Sequence, residues 1–156
     1  MTPAILAARK AGIDHQVHAY EHDPSCASFG LEAVEKMGVD PARVFKTLIV
    51  AVDSKELVVA VLPVGAHLSM KLIAKAAGGK KAAMADKAAA QRATGYLLGG
   101  VSPLGQKKRL RTFIDASAEA LASVYVSAGQ RGLEIELAPA DLQRLTSATW
   151  AALQQN

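Results

Sequence analysis

A chain of 156 residues can bury about two thirds of its unfolded surface in one core without disulfide or metal staples. With 51% apolar and 21% charged residues it is neither a disordered tail nor a fibre, and its single cysteine, Cys26, excludes an internal disulfide and a cysteine-rich zinc site. The net charge of +4 permits contact with a polyanion without demanding one, and no apolar run is long enough to span a membrane, so the expectation is a cytoplasmic protein with no membrane partner.

Thr2 and Pro3 form a cap and first turn, and Gly12 is placed to end a helix over 3–11. Residues 13–21 read as a strand with Ile13, Val17 and Ala19 on one face and His18, Tyr20 and His22 on the other. Ser28 is the predicted cap of a helix over 30–37, closed by Gly38, and Asp40 with Pro41 starts one further turn. Residues 45–52 are the clearest strand, and Asp53-Ser54-Lys55 turns it into a partner over 57–62. Ser69 caps a helix through Ala77, a short strand follows at 81–84, and Asp86 caps a helix over 87–93 ended by Gly95. Further strands are expected at 96–98, 109–114, 123–127 and 133–137, with a loop from Ser127 to Gly132 between the last two. Pro139 opens a helix to about Leu145, and the tail at Trp150 and Leu153 is expected to fold back on the core.

Strands outnumber long helices and do not alternate with them, which argues against a doubly wound parallel sheet. The expected class is α+β: one domain over 1–156, a mixed, largely antiparallel curved sheet or barrel of about seven or eight strands with short peripheral helices.

Several familiar chemistries are excluded by residue type. Gly95-Tyr96-Leu97-Leu98-Gly99-Gly100 lacks the Gly-Lys-Ser/Thr of a P-loop, and no GxGxxG is present. Gly100-Val101-Ser102-Pro103-Leu104 is no serine nucleophile elbow, because Pro103 has no N–H to offer an oxyanion. His15, His18, His22 and Cys26 do not complete a four-ligand set, since a strand turns His15 away from the other two by its placement in the pattern. No metal and no other cofactor is expected.

Lys46 breaks the pattern. It shares a strand face with Leu48, Val50 and Val52 while Phe45, Thr47, Ile49 and Ala51 fill the other, so both faces are apolar and an ammonium stands where a buried side chain belongs. Either it snorkels to solvent at the strand end beside Arg43, or it lines a pocket that takes a phosphate, a carbonyl oxygen or a developing negative charge. Tyr20, the paired glycines Gly99 and Gly100, and the 127–132 loop with Ser127, Gly129 and Arg131 are candidates to meet it. Lys107, Lys108 and Arg109 carry no interleaved aromatic, so they read as a phosphate-contacting rim or as a guarded edge strand.

Taken in order, the segments YEHDP at 20–24, FG at 29–30, FKTL at 45–48, MAD at 84–86, QRATGYLLGGVSPLGQKKRL at 91–110, YVS at 125–127 and RGLEIELAP at 131–139 resemble the YbaK family of trans-editing aminoacyl-tRNA deacylases, in its Cys-tRNA(Pro) deacylase branch. The resemblance implies removal of cysteine from mischarged tRNA(Pro) by a small cytoplasmic domain acting in transient complex with prolyl-tRNA synthetase, with no DNA partner. It further implies that Lys46 is the essential pocket lysine, that Tyr20, Phe29 and Thr47 lie in the substrate pocket, that Gly99 and Gly100 form the glycine loop, and that Ser127, Gly129 and Arg131 belong to the facing loop. The chemistry implied is attack by the substrate's own thiol, leaving a thiolactone. Ala128, Gln130 and Glu134 stand where that family commonly has Gly, Lys and Asp, changes that bear on pocket shape and amino-acid preference. Two alternatives stay open: a sister deacylase that removes Ala or another small amino acid with water, and a non-catalytic module that binds tRNA or the synthetase.

Overall fold

The computed structural model describes residues 1–26 and 29–156, so the predicted cap Ser28 lies outside the described residues, as does the side chain of Phe29. Helix α1 spans Pro3–Ala11: the Thr2 hydroxyl accepts from the Ile5 N–H at 3.2 Å, and Gly12 closes the helix at φ +69°. Strand β1 is His15–Ala19 and helix α2 is Phe29–Met37. A 3-10 turn, Pro41–Arg43, capped by Asp40, leads into β2, Phe45–Val52, and β3, Glu56–Pro63. Their antiparallel register runs from Phe45↔Pro63 to Val52↔Glu56. The connecting turn holds Asp53 and Ser54 at φ +53° and +54°, and the Asp53 carboxylate accepts from the Lys80 and Lys81 N–H groups, tying the hairpin to the strand that follows.

Helix α3, Met70–Ala76, is capped by Ser69, and β4, Ala82–Met84, pairs with β2. Helix α4, Lys87–Thr94, is capped by Asp86 and closed by Gly95. Then come β5, Arg111–Asp115; β6, Val124–Gln130; β7, Leu133–Leu137; α5, Pro139–Thr146; and β8, Thr149–Ala151. These eight strands form a three-stranded sheet, β1-β7-β6, and a five-stranded sheet, β4-β2-β3-β5-β8. Pairing is antiparallel except at β3–β5 and β5–β8. Among the described residues a single isolated bridge, Val44↔Tyr125, joins the sheets rather than closing them into a barrel.

The double apolar face of β2 is explained by two cores. Phe45 and Ile49 pack with Val61, Ile114, Val126, Ile135 and α1 residues Ala4, Ile5 and Ala8, between the sheets. Val50 and Val52 pack on the opposite side with Leu62, Ile73, Phe113 and Leu153. Each of the fully buried large side chains, Leu62, Ile73 and Leu153 among them, contributes about 1.5–3 kcal/mol by leaving water. The tail does fold back: Trp150 pairs with Ile114, and the Gln155 N–H donates to the His67 carbonyl at 2.8 Å.

Four expectations change. Residues 96–98 are not a strand: left-handed glycines at 95 and 99 bound them, Tyr96 turns inward, and Leu97 and Leu98 stay exposed. The 127–132 loop is mostly strand, because β6 runs on to Gln130 through a register shift after Ser127. In β1 the faces are reversed in burial, with His18 half-buried and Val17 exposed, because Val17 lies on an edge strand while α2 packs toward the His18 side. The strand β8 and the 3-10 turn Ala116–Ala120 were not foreseen.

Candidate functional site

A cavity of about 400 Å3 opens between the outer face of the three-stranded sheet, the start of β2 and the 98–101 segment. Lys46, Thr47, Tyr20, Gly99 and Ser127 all line it, together with apolar Val44, Leu48, Val64 and Leu98. Lys46 is there because it is the second residue of β2, where the strand leaves the core and runs along the cavity wall. Its ammonium donates to the Ala66 carbonyl in the loop after β3, at 2.5 Å. Half-burial pushes its pKa below the ordinary lysine value, and among the described residues no carboxylate lies within ion-pair distance of it. Of the two readings left open by the sequence, the cavity wall is the observed one.

Thr47 points to the other strand face, and its hydroxyl oxygen is buried without a hydrogen-bond partner. Leaving such a group unmatched costs about 1–3 kcal/mol, so the cavity holds an unspent donor and acceptor. Tyr20, just beyond β1, is fixed by donation from its N–H to the Gly132 carbonyl at 2.9 Å, and burial, then the neighbouring Glu134, push its phenol pKa up. Ser127 accepts from the Gly129 N–H at 3.2 Å, which shapes the bulge in β6.

The predicted glycines divide their roles. Gly99, at φ +91°, lines the cavity. Gly100 does not line it and donates its N–H to the Leu97 carbonyl at 3.0 Å. Gly100 serves close approach instead: a Cβ there would sit 2.8 Å from the Gln130 Cα. Gly129, at φ +109°, faces the Tyr96 ring edge in the same way, with a Cβ placed 2.8 Å from Cε1. Thr2 backs this contact by donating its hydroxyl to the Ala128 carbonyl at 2.5 Å.

Arg131 is not in the wall. It donates to the Cys26 carbonyl at 3.0 Å and lies 4.0 Å from Glu32, whose buried carboxylate also accepts from the Asp23 N–H and meets His22 Nδ1 at 2.8 Å. Hydrogen bonding from His22 holds the Glu32 pKa down, so these groups fasten the 20–26 segment to α2. His18 is bonded to Glu136, which Arg43 and Ser123 also hold. Lys107, Lys108 and Arg109 are exposed, and the last two border a second, polar cavity of about 240 Å3 between α1 and α5.

Glu134, named from the sequence only as a departure that bears on pocket shape, was not among the predicted site residues and lines the cavity. Glu134 is only 7% exposed, and burial pushes its carboxyl up to about 8. The alternation Leu133-Glu134-Ile135-Glu136-Leu137 points it away from the core, as expected, but toward the cavity rather than toward water. The signal in the sequence was its place in the 131–139 segment, where the family commonly has Asp; the register then sets it opposite Ser127.

A cavity that joins a half-buried ammonium, a glycine amide, hydroxyls and a carboxyl in an apolar wall fits an acyl ester with polar groups at both ends. Residues 23–145 match the aminoacyl-tRNA editing domain. The chain belongs to this family, the YbaK family, and its class of activity is aminoacyl-tRNA deacylation. It is 37% identical over 142 residues to EbsC of Enterococcus faecalis, a protein named for Cys-tRNA(Pro)/Cys-tRNA(Cys) deacylation, covering 89% of this chain and 87% of the relative. Its fold is similar to the crystal structure of a protein named for trans-editing with prolyl-tRNA synthetase, with a TM-score of 0.86, 21% identity, and 99% and 96% of the two chains covered.

Proposed function

We propose that this deacylase removes cysteine from mischarged Cys-tRNA(Pro) in the cytoplasm, in transient complex with prolyl-tRNA synthetase, and that the cysteine supplies its own nucleophile. The substrate sulfur attacks its ester carbonyl, a C–S bond forms as the C–O bond to the tRNA 3′ oxygen breaks, and the thiol proton passes to that oxygen. The products are a tRNA with a free 3′ hydroxyl and a four-membered thiolactone, which water opens later. Holding thiol and ester in contact supplies most of the acceleration such a step needs.

The observation that supports this reading is the gathering of Lys46, Thr47, Tyr20, Gly99 and Ser127 around one cavity in which, among the described residues, no histidine or cysteine takes part. Lys46 and Thr47 anchor the ester or terminal nucleotide, the Gly99 amide faces the developing oxyanion, and Lys107, Lys108 and Arg109 contact tRNA phosphates. The kinship to EbsC favours cysteine as the acyl group. Deacylation of Cys-tRNA(Pro) beside Ser-tRNA(Pro) and Ala-tRNA(Pro) tests it: fast loss of cysteine alone is expected, and equal rates for serine overturn the thiol step.

A further inference from the structure

Glu134 is the single acidic residue in the cavity wall among the described residues. Its side chain is more than nine-tenths buried, and its carboxyl makes no hydrogen bond or ion pair among them. A carboxyl that opens to a cavity without a partner is available to a ligand, and no hydrogen bond or ion pair of the described residues uses this one: the neighbouring Glu136 is consumed by His18, Arg43 and Ser123, while Glu134 is left open to the cavity. The lysine of the same wall is carried by β2, in the other sheet, and makes no ion pair with it. The cavity is therefore polarised, with a cationic donor on one wall and an unmatched acid on the other.

An aminoacyl ester carries one cationic group, its α-ammonium, separated from the ester carbonyl by a single carbon. We propose that Glu134 receives this α-ammonium and so restricts the site to acyl groups with a free α-amine, sparing esters whose nitrogen is blocked by a formyl, acetyl or peptidyl group. The inference rests on the deacylase reading above and adds its amine specificity. An ammonium docked there draws the proton off Glu134, because an opposite charge favours the carboxylate; acylation of the nitrogen removes that charge and adds bulk against an apolar wall, so it costs the ligand on both counts. Placing the ammonium at Glu134 also leaves Lys46 to the oxygen-bearing side, since an ammonium would be repelled there.

The test uses the full chain and two non-hydrolysable probes, 3′-cysteinylamino-3′-deoxyadenosine and its N-acetyl derivative, measured by calorimetry, beside deacylation of Cys-tRNA(Pro) and N-acetyl-Cys-tRNA(Pro). Wild type is expected to bind the free amine about ten- to a hundredfold more tightly and to spare the acetylated tRNA by a similar factor. Glu134→Gln equalises the two probes, and Glu134→Asp keeps the preference. Equal handling of the two amine states by wild type, or a preference that survives in Glu134→Gln, overturns the proposal while leaving the deacylase reading in place. Absence of binding to either probe together with an intact Cys-tRNA(Pro) overturns both. The wild-type comparison is decisive by itself if the Gln variant does not fold.

Discussion

The Lys46 ammonium is fastened to the Ala66 carbonyl oxygen, so a residue of β2 holds the loop that follows β3. Among the described residues the only polar contact of this cation is with a neutral group, which leaves its charge available to a ligand. Lys46→Ala is expected to lower deacylation by about a hundredfold or more, the scale for removing a donor aimed at developing charge. The melting temperature should stay level or rise, because a partly desolvated charge is removed. The Lys46→Arg variant should not restore the rate, since a planar fork cannot reproduce one point donor in the same space. Single-turnover assays and thermal melts check these outcomes together.

Glu134 should make stability fall as pH rises from about 4.5 to about 8. Its folded pKa, about 8, lies above the ordinary carboxylate value, so the native state holds this proton more tightly than the unfolded chain does. That contribution is fully present below the unfolded pKa and is lost as pH rises through the folded one, with Tyr20 and Lys46 the other titratable groups in the wall. Glu134→Gln should therefore gain on wild type between pH 6 and pH 9 by an amount on the order of a few kcal/mol. Chemical denaturation across that range reads the difference.

Gly100→Ala should damage activity beyond its cost in stability. The added methyl meets the Gln130 backbone at 2.8 Å, and relief requires moving either the segment that carries Gly99 or the bulge that carries Ser127. A loss of about 1–3 kcal/mol is expected, with a deacylation rate reduced by more than tenfold at temperatures where the variant is fully folded. Gly129→Ala should cost more, because its φ of +109° is strained for any side chain.

The exposed cations Lys107, Lys108 and Arg109 should act through salt-dependent tRNA affinity alone. Replacing all three by Gln is expected to weaken binding of uncharged tRNA, to flatten the dependence of log K on log salt by about one unit or less per lost phosphate contact, and to leave cleavage of a short cysteinyl-adenosine ester unchanged. Fluorescence anisotropy at several salt concentrations reads the slope.

What the sequence made legible was local. Thr2, Ser69 and Asp86 are read as caps because a cap is a contact over three residues, and the hairpin of β2 and β3 is read from its own alternation and turn. Lys46 stood out because it violated that alternation, and the cavity beside it accounts for the violation. Glu134 was hidden by the same rule: alternation says which face a residue takes, not whether another element covers that face. The parallel pairings of β5 and β8, the meeting of Gly100 with Gln130 and the grip of Arg131 on Cys26 join residues far apart in the chain, and no periodicity encodes them.

Thr2 and Gln155 are both tied into the loops that shape the cavity. The Thr2 hydroxyl reaches Ala128 beside Gly129, and Gln155 bonds to His67, the residue after the one that holds Lys46. An affinity handle spliced beside either residue would thus pull on a wall of the reaction chamber. Kinetic comparisons should be made on protein freed of purification tags on both sides.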